Sequence, residues 1–145
     1  MDPRSGLTYI VVNRRTRLVL DDPIEEGGSV HVAHLNENET QKWMLSQSRD
    51  GLWTLQNVGN GGFLCIKSLH TNDGDPVVAK HGDDEACRWF IIPEDSMSFR
   101  ICTSNPNCAA SLDTSIGPNS MPVVLKDSLS DPARGWTFMR TVEIF

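Results

Sequence analysis

Paired carboxylates are the first residues in this sequence whose type and spacing could support chemistry. The acidic groups are Asp21-Asp22, Glu25-Glu26 and Asp83-Asp84-Glu85. Hydrolysis of a glycosidic bond needs two carboxyl groups held on either side of a sugar. All of these acidic groups fall in predicted loops, which favours solvated turn charges over a catalytic pair. We therefore expect no enzyme activity.

Cysteines are the second group with chemical potential, as nucleophiles, metal ligands or disulfides. The chain has four: Cys65, Cys87, Cys102 and Cys108. Their spacing matches no zinc motif, and no motif places a histidine beside one of them as an activating base. We expect reduced, mostly buried thiols and no metal or other cofactor. A bond between Cys102 and Cys108, which flank a turn, is the alternative that the spacing leaves open.

Composition and charge exclude several classes of partner. The net charge of -6 disfavours nucleic acid and anionic membranes. The one basic cluster, Arg14-Arg15-Thr16-Arg17, is interpreted as a solvated hairpin. No apolar run is long enough to predict membrane insertion. The start of the chain, Met1 to Gly6, lacks the apolar core of a signal peptide, so we expect a cytoplasmic location.

The elements that must position any site are indicated by an internal repeat. Trp43, Trp89 and Trp136 lie 46 and 47 residues apart, and each closes a segment of the same design. Four short strand-like stretches precede or include each tryptophan, with turn residues between them. A period near 45 residues with such alternation is typical of a repeated β unit.

Four strands in three repeats predict twelve strands. The first strands are predicted at 8–13, 52–57 and 98–102, the second at 17–21, 62–67 and 108–113, the third at 29–32, 76–79 and 122–125, and the fourth at 42–45, 88–91 and 135–138. Three units are too few for a propeller. We therefore predict an all-β protein with a β-trefoil fold around a pseudo-threefold axis. A single domain over 1–145, with repeats at about 7–51, 52–97 and 98–145, would share one core filled by the tryptophans.

A motif in the first repeat connects this fold to a known family. Gln41-Lys42-Trp43 has the pattern Gln-any-Trp, and it is accompanied by the stretches 7–13, 18–21, 34–36 and 121–125 with Trp136. On these residues, and over nearly its whole length, the chain resembles the ricin B-like (R-type) lectins, more narrowly the small cytoplasmic lectins of mushrooms. Only the first repeat has the glutamine of this motif. The corresponding stretches Cys87-Arg88-Trp89 and Arg134-Gly135-Trp136 share only the tryptophan.

The resemblance implies a shallow sugar-binding pocket in the first repeat. An Asp at the end of the second strand would accept hydrogen bonds from sugar hydroxyls, and here it is Asp21. His34 and Asn36 would line the wall, and Thr40 and Gln41 would form the closing edge. Simpler structural roles stay open: Asp21 as a turn residue, His34 as an exposed loop residue, and Gln41 as a brace for the loop.

The other two repeats match this pattern less well. The second has Lys67 at the position expected for the acidic acceptor, so we expect it to be silent although His81 matches His34. The third keeps Asp113, with its spacing offset by one residue, and Asp127 falls where His34 does. Asp113 and Asp127 therefore form a second, weaker candidate carbohydrate site.

The function that the resemblance implies is that of a non-enzymatic lectin for terminal galactose or N-acetylgalactosamine on glycoproteins or glycolipids. Shallow sites bind single sugars weakly, so we expect a homodimer, and the resemblance implies a defensive role. One alternative is a β-trefoil protease inhibitor acting through the loops 103–107 and 68–75. Another is a trefoil subunit that has lost sugar binding and acts as a partner protein.

Overall fold

The computed structural model describes residues 3–22, 29–66, 76–82, 85–95, 98–103, 111–114, 121–126 and 135–141, with the backbone alone at 111–114 and 121–126. These residues form twelve strands, as the sequence predicted. They are β1 (Leu7–Asn13), β2 (Val19–Asp21), β3 (His31–Ala33), β4 (Trp43–Gln47), β5 (Trp53–Asn57), β6 (Phe63–Ile66), β7 (Val77–Lys80), β8 (Trp89–Pro93), β9 (Phe99–Thr103), β10 (Ser111–Thr114), β11 (Met121–Lys126) and β12 (Trp136–Arg140). Two 3₁₀ turns, Glu39–Gln41 and Glu85–Cys87, precede β4 and β8.

Six of these strands close into a barrel. Going around it, β1 pairs with β4, β4 with β5, β5 with β8, β8 with β9, β9 with β12, and β12 with β1 again. Every pairing is antiparallel. Closure leaves no open edge in the barrel, which removes the main hazard of an all-β fold.

The other six strands form three hairpins, β2–β3, β6–β7 and β10–β11, each joined to the barrel through its own repeat. A barrel with three such hairpins is the predicted β-trefoil. The hairpins also contact one another: β3 pairs with β11, and Val30 N–H donates to the carbonyl of Val77 at 2.8 Å. Neighbouring repeats therefore support each other through backbone hydrogen bonds.

The three repeated tryptophans lie at the centre of this arrangement. Trp43, Trp89 and Trp136 are fully buried, as predicted. Around them pack aliphatic and aromatic side chains from all three repeats, among them Tyr9, Val11, Leu20, Val32, Leu45, Leu55, Leu64, Ile101 and Phe138. No single repeat could bury these side chains alone, so the core requires all three.

The basic cluster forms the turn between β1 and β2, and Arg14, Arg15 and Arg17 are exposed there. The solvated hairpin predicted for them is confirmed. Arg17 adopts a left-handed backbone with φ of 63°. Among the described residues, no helix has the length and apolar character that crossing a membrane would require. Within the same ranges, no three His, Cys, Asp or Glu side chains group as metal ligands would.

Candidate functional site

Asp21 is held at the end of a fully buried strand. Val19 and Leu20 anchor β2 in the core, and Asp21 lies opposite His31 across the β2–β3 hairpin. The Asp21 residue is 8% exposed, and its Oδ2 accepts a hydrogen bond of 3.0 Å from Nε2 of Gln41. The carboxylate is therefore fixed in orientation at the edge of the core.

Gln41 is the centre of the polar network around this carboxylate. Its Nε2 also donates to the carbonyl of His34 at 2.8 Å, and its Oε1 accepts from the backbone N–H of Asn36 at 2.9 Å. Both N–H donors of the amide are used, and the residue is only 1% exposed. Of the two roles that the sequence left open for Gln41, the structure favours holding the loop in place over direct contact with a sugar. Gln41 fixes the Asp21 carboxylate and the 34–36 backbone together.

The loop that follows β3 carries the predicted wall residues. His34 and Asn36 are both exposed, on either side of the exposed Leu35. The Oδ1 of Asn36 accepts from the N–H of Asn38 at 2.9 Å, and Glu37 has a left-handed backbone with φ of 64°. Gln41 thus brings the backbone of both predicted wall residues to the carboxylate, while their side chains face solvent.

Thr40 connects the site to the second repeat. Its carbonyl accepts from the N–H of Asp22 at 3.2 Å and from Nδ2 of Asn57 at 2.8 Å. A Cβ on Gly59 would lie 2.9 Å from the nitrogen of Thr40, so the two backbones touch there. Through these contacts Thr40 packs the candidate site against the turn between β5 and β6.

Asp22 is buried, contrary to the solvated turn charge that its place in the sequence predicts. The acidic groups were expected to be solvated turn charges, but Asp22 is 2% exposed and its Oδ2 accepts a hydrogen bond from Nδ2 of Asn60. Burial raises the pKa of Asp22 above its ordinary value, and the neighbouring Asp21 raises it further, while the Asn60 bond opposes the shift. Solvated turn charge is therefore wrong for both Asp21 and Asp22, although Glu85 is exposed as expected. Glu25, Glu26, Asp83 and Asp84 lie outside the described residues.

The second repeat has a cysteine at the position of Asp21. Trp43 Nε1 donates to the carbonyl of Leu20 at 3.0 Å, and Trp89 Nε1 donates to that of Leu64 at 2.8 Å. The residue after Leu64 is Cys65, so the assignment of Lys67 to this position was wrong. The spacing from the tryptophan does not reveal this position, because the segment from Cys65 to Trp89 is two residues longer than the segment from Asp21 to Trp43. Lys67 itself lies outside the described residues.

Cys65 is bonded to Cys87 in a buried disulfide, which contradicts the expectation of reduced thiols for this pair. Cys87 stands two residues before its tryptophan, as Gln41 does, and that shared spacing is the signal that could have revealed the pairing. The alternative bond between Cys102 and Cys108 stays a prediction, because Cys108 lies outside the described residues.

The third repeat keeps an acidic residue in the same register. Asp113 pairs with Val124 in the β10–β11 hairpin as Asp21 pairs with His31. Ser111 pairs with Cys102 of β9 as Val19 pairs with Val12 of β1, so the backbone of Asp113, two residues further on, occupies the position equivalent to Asp21. The one-residue offset lies in the segment between Asp113 and Trp136. Asp127 lies outside the described residues, as do most of the loops 68–75 and 103–107 that an inhibitor would use.

Comparison with known proteins agrees with this architecture. The family model described as ricin-type beta-trefoil lectin domain-like matches residues 39–125, more than half of the chain. Comparison with curated proteins finds no significant match.

Three solved structures show the same fold. The ricin B-like lectin of Macrolepiota procera in complex with lactose is 25% identical, with a TM-score of 0.84 over 97% of this chain and 100% of its own. The Rhizoctonia solani agglutinin is 23% identical, with a TM-score of 0.83 over 97% and 99%. The designed threefold-symmetric protein ThreeFoil is 17% identical, with a TM-score of 0.85 over 92% and 99%.

These matches confirm the resemblance drawn from Gln41-Lys42-Trp43 and the repeated tryptophans. The family and the lectin structures support carbohydrate binding as the role of the chain. By fold, repeat and family match, this chain belongs to the ricin-type β-trefoil lectin-like family.

Proposed function

We propose that this protein is a non-enzymatic lectin that binds terminal galactose or N-acetylgalactosamine through the first repeat. The observation that carries the proposal is the Asp21 carboxylate, fixed by Gln41 beside the backbone of His34 and Asn36. This arrangement presents a preoriented acceptor at the base of an exposed polar loop. It is suited to holding a sugar rather than to cleaving one.

The carboxylate would recognise hydroxyl groups. It has about four lone-pair sites, and the bond from Gln41 uses one of them. Charge-assisted hydrogen bonds to vicinal hydroxyls are the stronger kind, and orientation by Gln41 lowers the entropy cost of forming them. The exposed side chains of His34 and Asn36 would contact the sugar at the rim.

The proposed sugar class is supported by a similar lectin. The Macrolepiota procera lectin was solved with lactose, a disaccharide that ends in galactose. A hydroxyl acceptor in the position of Asp21 fits such a terminal sugar. The natural ligands would then be galactose-terminated chains of glycoproteins or glycolipids.

Weak single sites require multivalency to hold a cell surface. Asp113 and Asp127 would give the third repeat a second, weaker site, and a homodimer would multiply the sites further. Such avidity would suit a defensive role against animals that feed on the organism.

A cytoplasmic location remains our expectation. The Cys65–Cys87 disulfide supports the alternative of an oxidising compartment, and thiol trapping in intact cells distinguishes the two.

The test is glycan binding by the wild type and by Asp21→Asn. The amide oxygen of the substituted side chain would still accept from Gln41, so the variant should fold while losing the charge. A charge-assisted bond contributes about 1.5–3 kcal/mol, so affinity for galactose-terminated glycans should fall about 10-fold to 100-fold. Glycan arrays and calorimetry measure this.

The matched control is Asp95→Asn, which removes an exposed carboxylate that pairs with Arg14. It should leave glycan binding unchanged. Binding that survives in Asp21→Asn would transfer the site to Asp113. Binding of no glycan by the wild type would reject the lectin proposal.

A further inference from the structure

The first and second repeats contain the same clamp in two chemical forms. In each repeat the tryptophan indole donates to the carbonyl just before the clamping residue, at Leu20 and at Leu64. Asp21 and Cys65 follow these carbonyls. Their partners, Gln41 and Cys87, each end a 3₁₀ turn of three residues, two positions before the tryptophan.

The two linkages join the same elements. The Asp21–Gln41 hydrogen bond connects β2 to the turn before β4, and the Cys65–Cys87 disulfide connects β6 to the turn before β8. We propose that the disulfide is a covalent replacement for the Asp–Gln clamp, and that it makes the stability of the second repeat depend on oxidation. This inference does not require the first repeat to bind sugar.

The surroundings of the two sulfurs accommodate both redox states. Cys65 Sγ lies 3.2 Å from the carbonyl of Phe63, and Cys87 Sγ lies 3.7 Å from that of Gly82. After reduction each thiol would have an acceptor within reach, so neither buried S–H would lack a hydrogen-bond partner. It would lack only the cross-link across the 22-residue separation.

Burial sets how quickly the state can change. Both cysteines are fully buried, so a thiolate reaches their sulfurs only when the repeat opens. The state formed during folding should therefore persist. Formation of the bond removes two electrons and two protons from the thiols. In the test a small-molecule disulfide accepts them by thiol–disulfide exchange and leaves as two thiols.

The first experiment compares the full chain refolded with oxidised glutathione and with a phosphine reductant. Peptide mapping should show Cys65 linked to Cys87 only in the oxidised sample. Closing a loop of this size should raise the melting temperature by about 10 °C. Equal melting temperatures in the two samples, or an unlinked pair in the oxidised one, would overturn the proposal.

The second experiment tests the equivalence of the two clamps. The variants are Cys65→Ala with Cys87→Ala, Cys65→Asp with Cys87→Ala, and Cys65→Asp with Cys87→Gln. The Asp–Gln pair should melt above the Asp–Ala variant, which leaves a buried carboxylate without its partner, and should not respond to reductant, because a hydrogen bond then spans the same positions. An Asp–Gln variant that is no more stable than Asp–Ala, or that fails to fold while Ala–Ala folds, would show that the positions are not equivalent.

Discussion

The side-chain amide of Gln41 donates a 3.0 Å hydrogen bond to the carboxylate of Asp21, twenty residues earlier in the chain. The same amide holds the backbone on both sides of Leu35. One buried side chain therefore fixes the hydroxyl acceptor and the loop beside it. The structural role of this region and its proposed sugar-binding role therefore both depend on Gln41.

Replacing Gln41 with methionine should disturb fold and binding together. The side chains have similar size, but the carboxylate of Asp21, the carbonyl of His34 and the N–H of Asn36 would lose their partner. Unfolding free energy should fall by about 3 kcal/mol, because buried polar groups without partners are costly. Urea denaturation measures the loss, and calorimetry with lactose should show weaker binding.

The control for Gln41 is Gln47→Met. Gln47 is exposed, and its amide donates to the carbonyl of Gly51 at 3.2 Å. This variant should change the unfolding free energy by less than about 0.5 kcal/mol. A loss equal to that of Gln41→Met would mean that the buried network contributes nothing special.

Gly59→Ala should disrupt the backbone contact that packs Thr40 against the second repeat. The new Cβ would lie 2.9 Å from the nitrogen of Thr40 and 3.0 Å from the carbonyl carbon of Glu39, and both are backbone atoms. Because neither can move alone, we expect a loss of about 2 kcal/mol in unfolding free energy. Thermal denaturation and glycan affinity should both register the shift.

Gly51→Ala separates this clash from backbone strain. A Cβ on Gly51 meets nothing within 4 Å, but φ there is +87°, so about 1 kcal/mol of strain is expected without any effect on glycan binding. Unchanged glycan affinity in Gly59→Ala would argue that the contact with Thr40 does not position the site.

The pH dependence of stability should reveal the buried Asp22. Its pKa is raised in the folded state, so the folded protein binds this proton more tightly than the unfolded chain does. The contribution of Asp22 is therefore most favourable at acid pH and is lost as pH rises through the folded pKa. Asp22→Asn should gain stability relative to the wild type between about pH 4 and about pH 7, as urea denaturation at both values would show.

Asp50→Asn should change stability with pH in the opposite direction from Asp22→Asn. The Ser48 hydroxyl and the Leu52 N–H hold the pKa of Asp50 below its ordinary value, so its contribution is present above the unfolded pKa and lost in acid. This variant should lose stability relative to the wild type as pH rises from about 2 to about 5, the interval in which the contribution of Asp50 develops. The same slope in both variants would contradict the burial argument for Asp22.

Arg17 and Gly61 occupy equivalent positions in the turns that follow β1 and β5. Each donates its N–H back across a tight turn, to the carbonyls of Asn13 and Asn57, and each has a positive φ, 63° for Arg17 and 79° for Gly61. Arg17→Gly should relieve strain and raise the unfolding free energy by about 0.5–1 kcal/mol, while Gly61→Ala should lower it by about 1 kcal/mol. Chemical denaturation of both variants checks the signs, and equal signs would refute the equivalence.

The sequence by itself determined the β-trefoil fold, its twelve strands and its core. Trp43, Trp89 and Trp136 recur because each repeat must place one large apolar side chain at the shared centre. Alternating strands bounded by turn residues are local signals, so they can be read without knowing the contacts. The family motif at Gln41-Lys42-Trp43 likewise pointed to Asp21, which the structure places beside Gln41.

Only the tertiary structure decided which polar groups meet. Spacing along the chain assigned Lys67 to the acceptor position, whereas strand register places Cys65 there, because loop length varies without changing the barrel. The burial of Asp22 beside Asn60 and the pairing of Cys65 with Cys87 depend on where separate turns converge. The Asp22–Asn60 contact arises from the packing of one repeat against another, and no local pattern in the sequence encodes it. The Cys65–Cys87 bond forms within one repeat, and the spacing of Cys87 before Trp89 is its only local sign in the sequence.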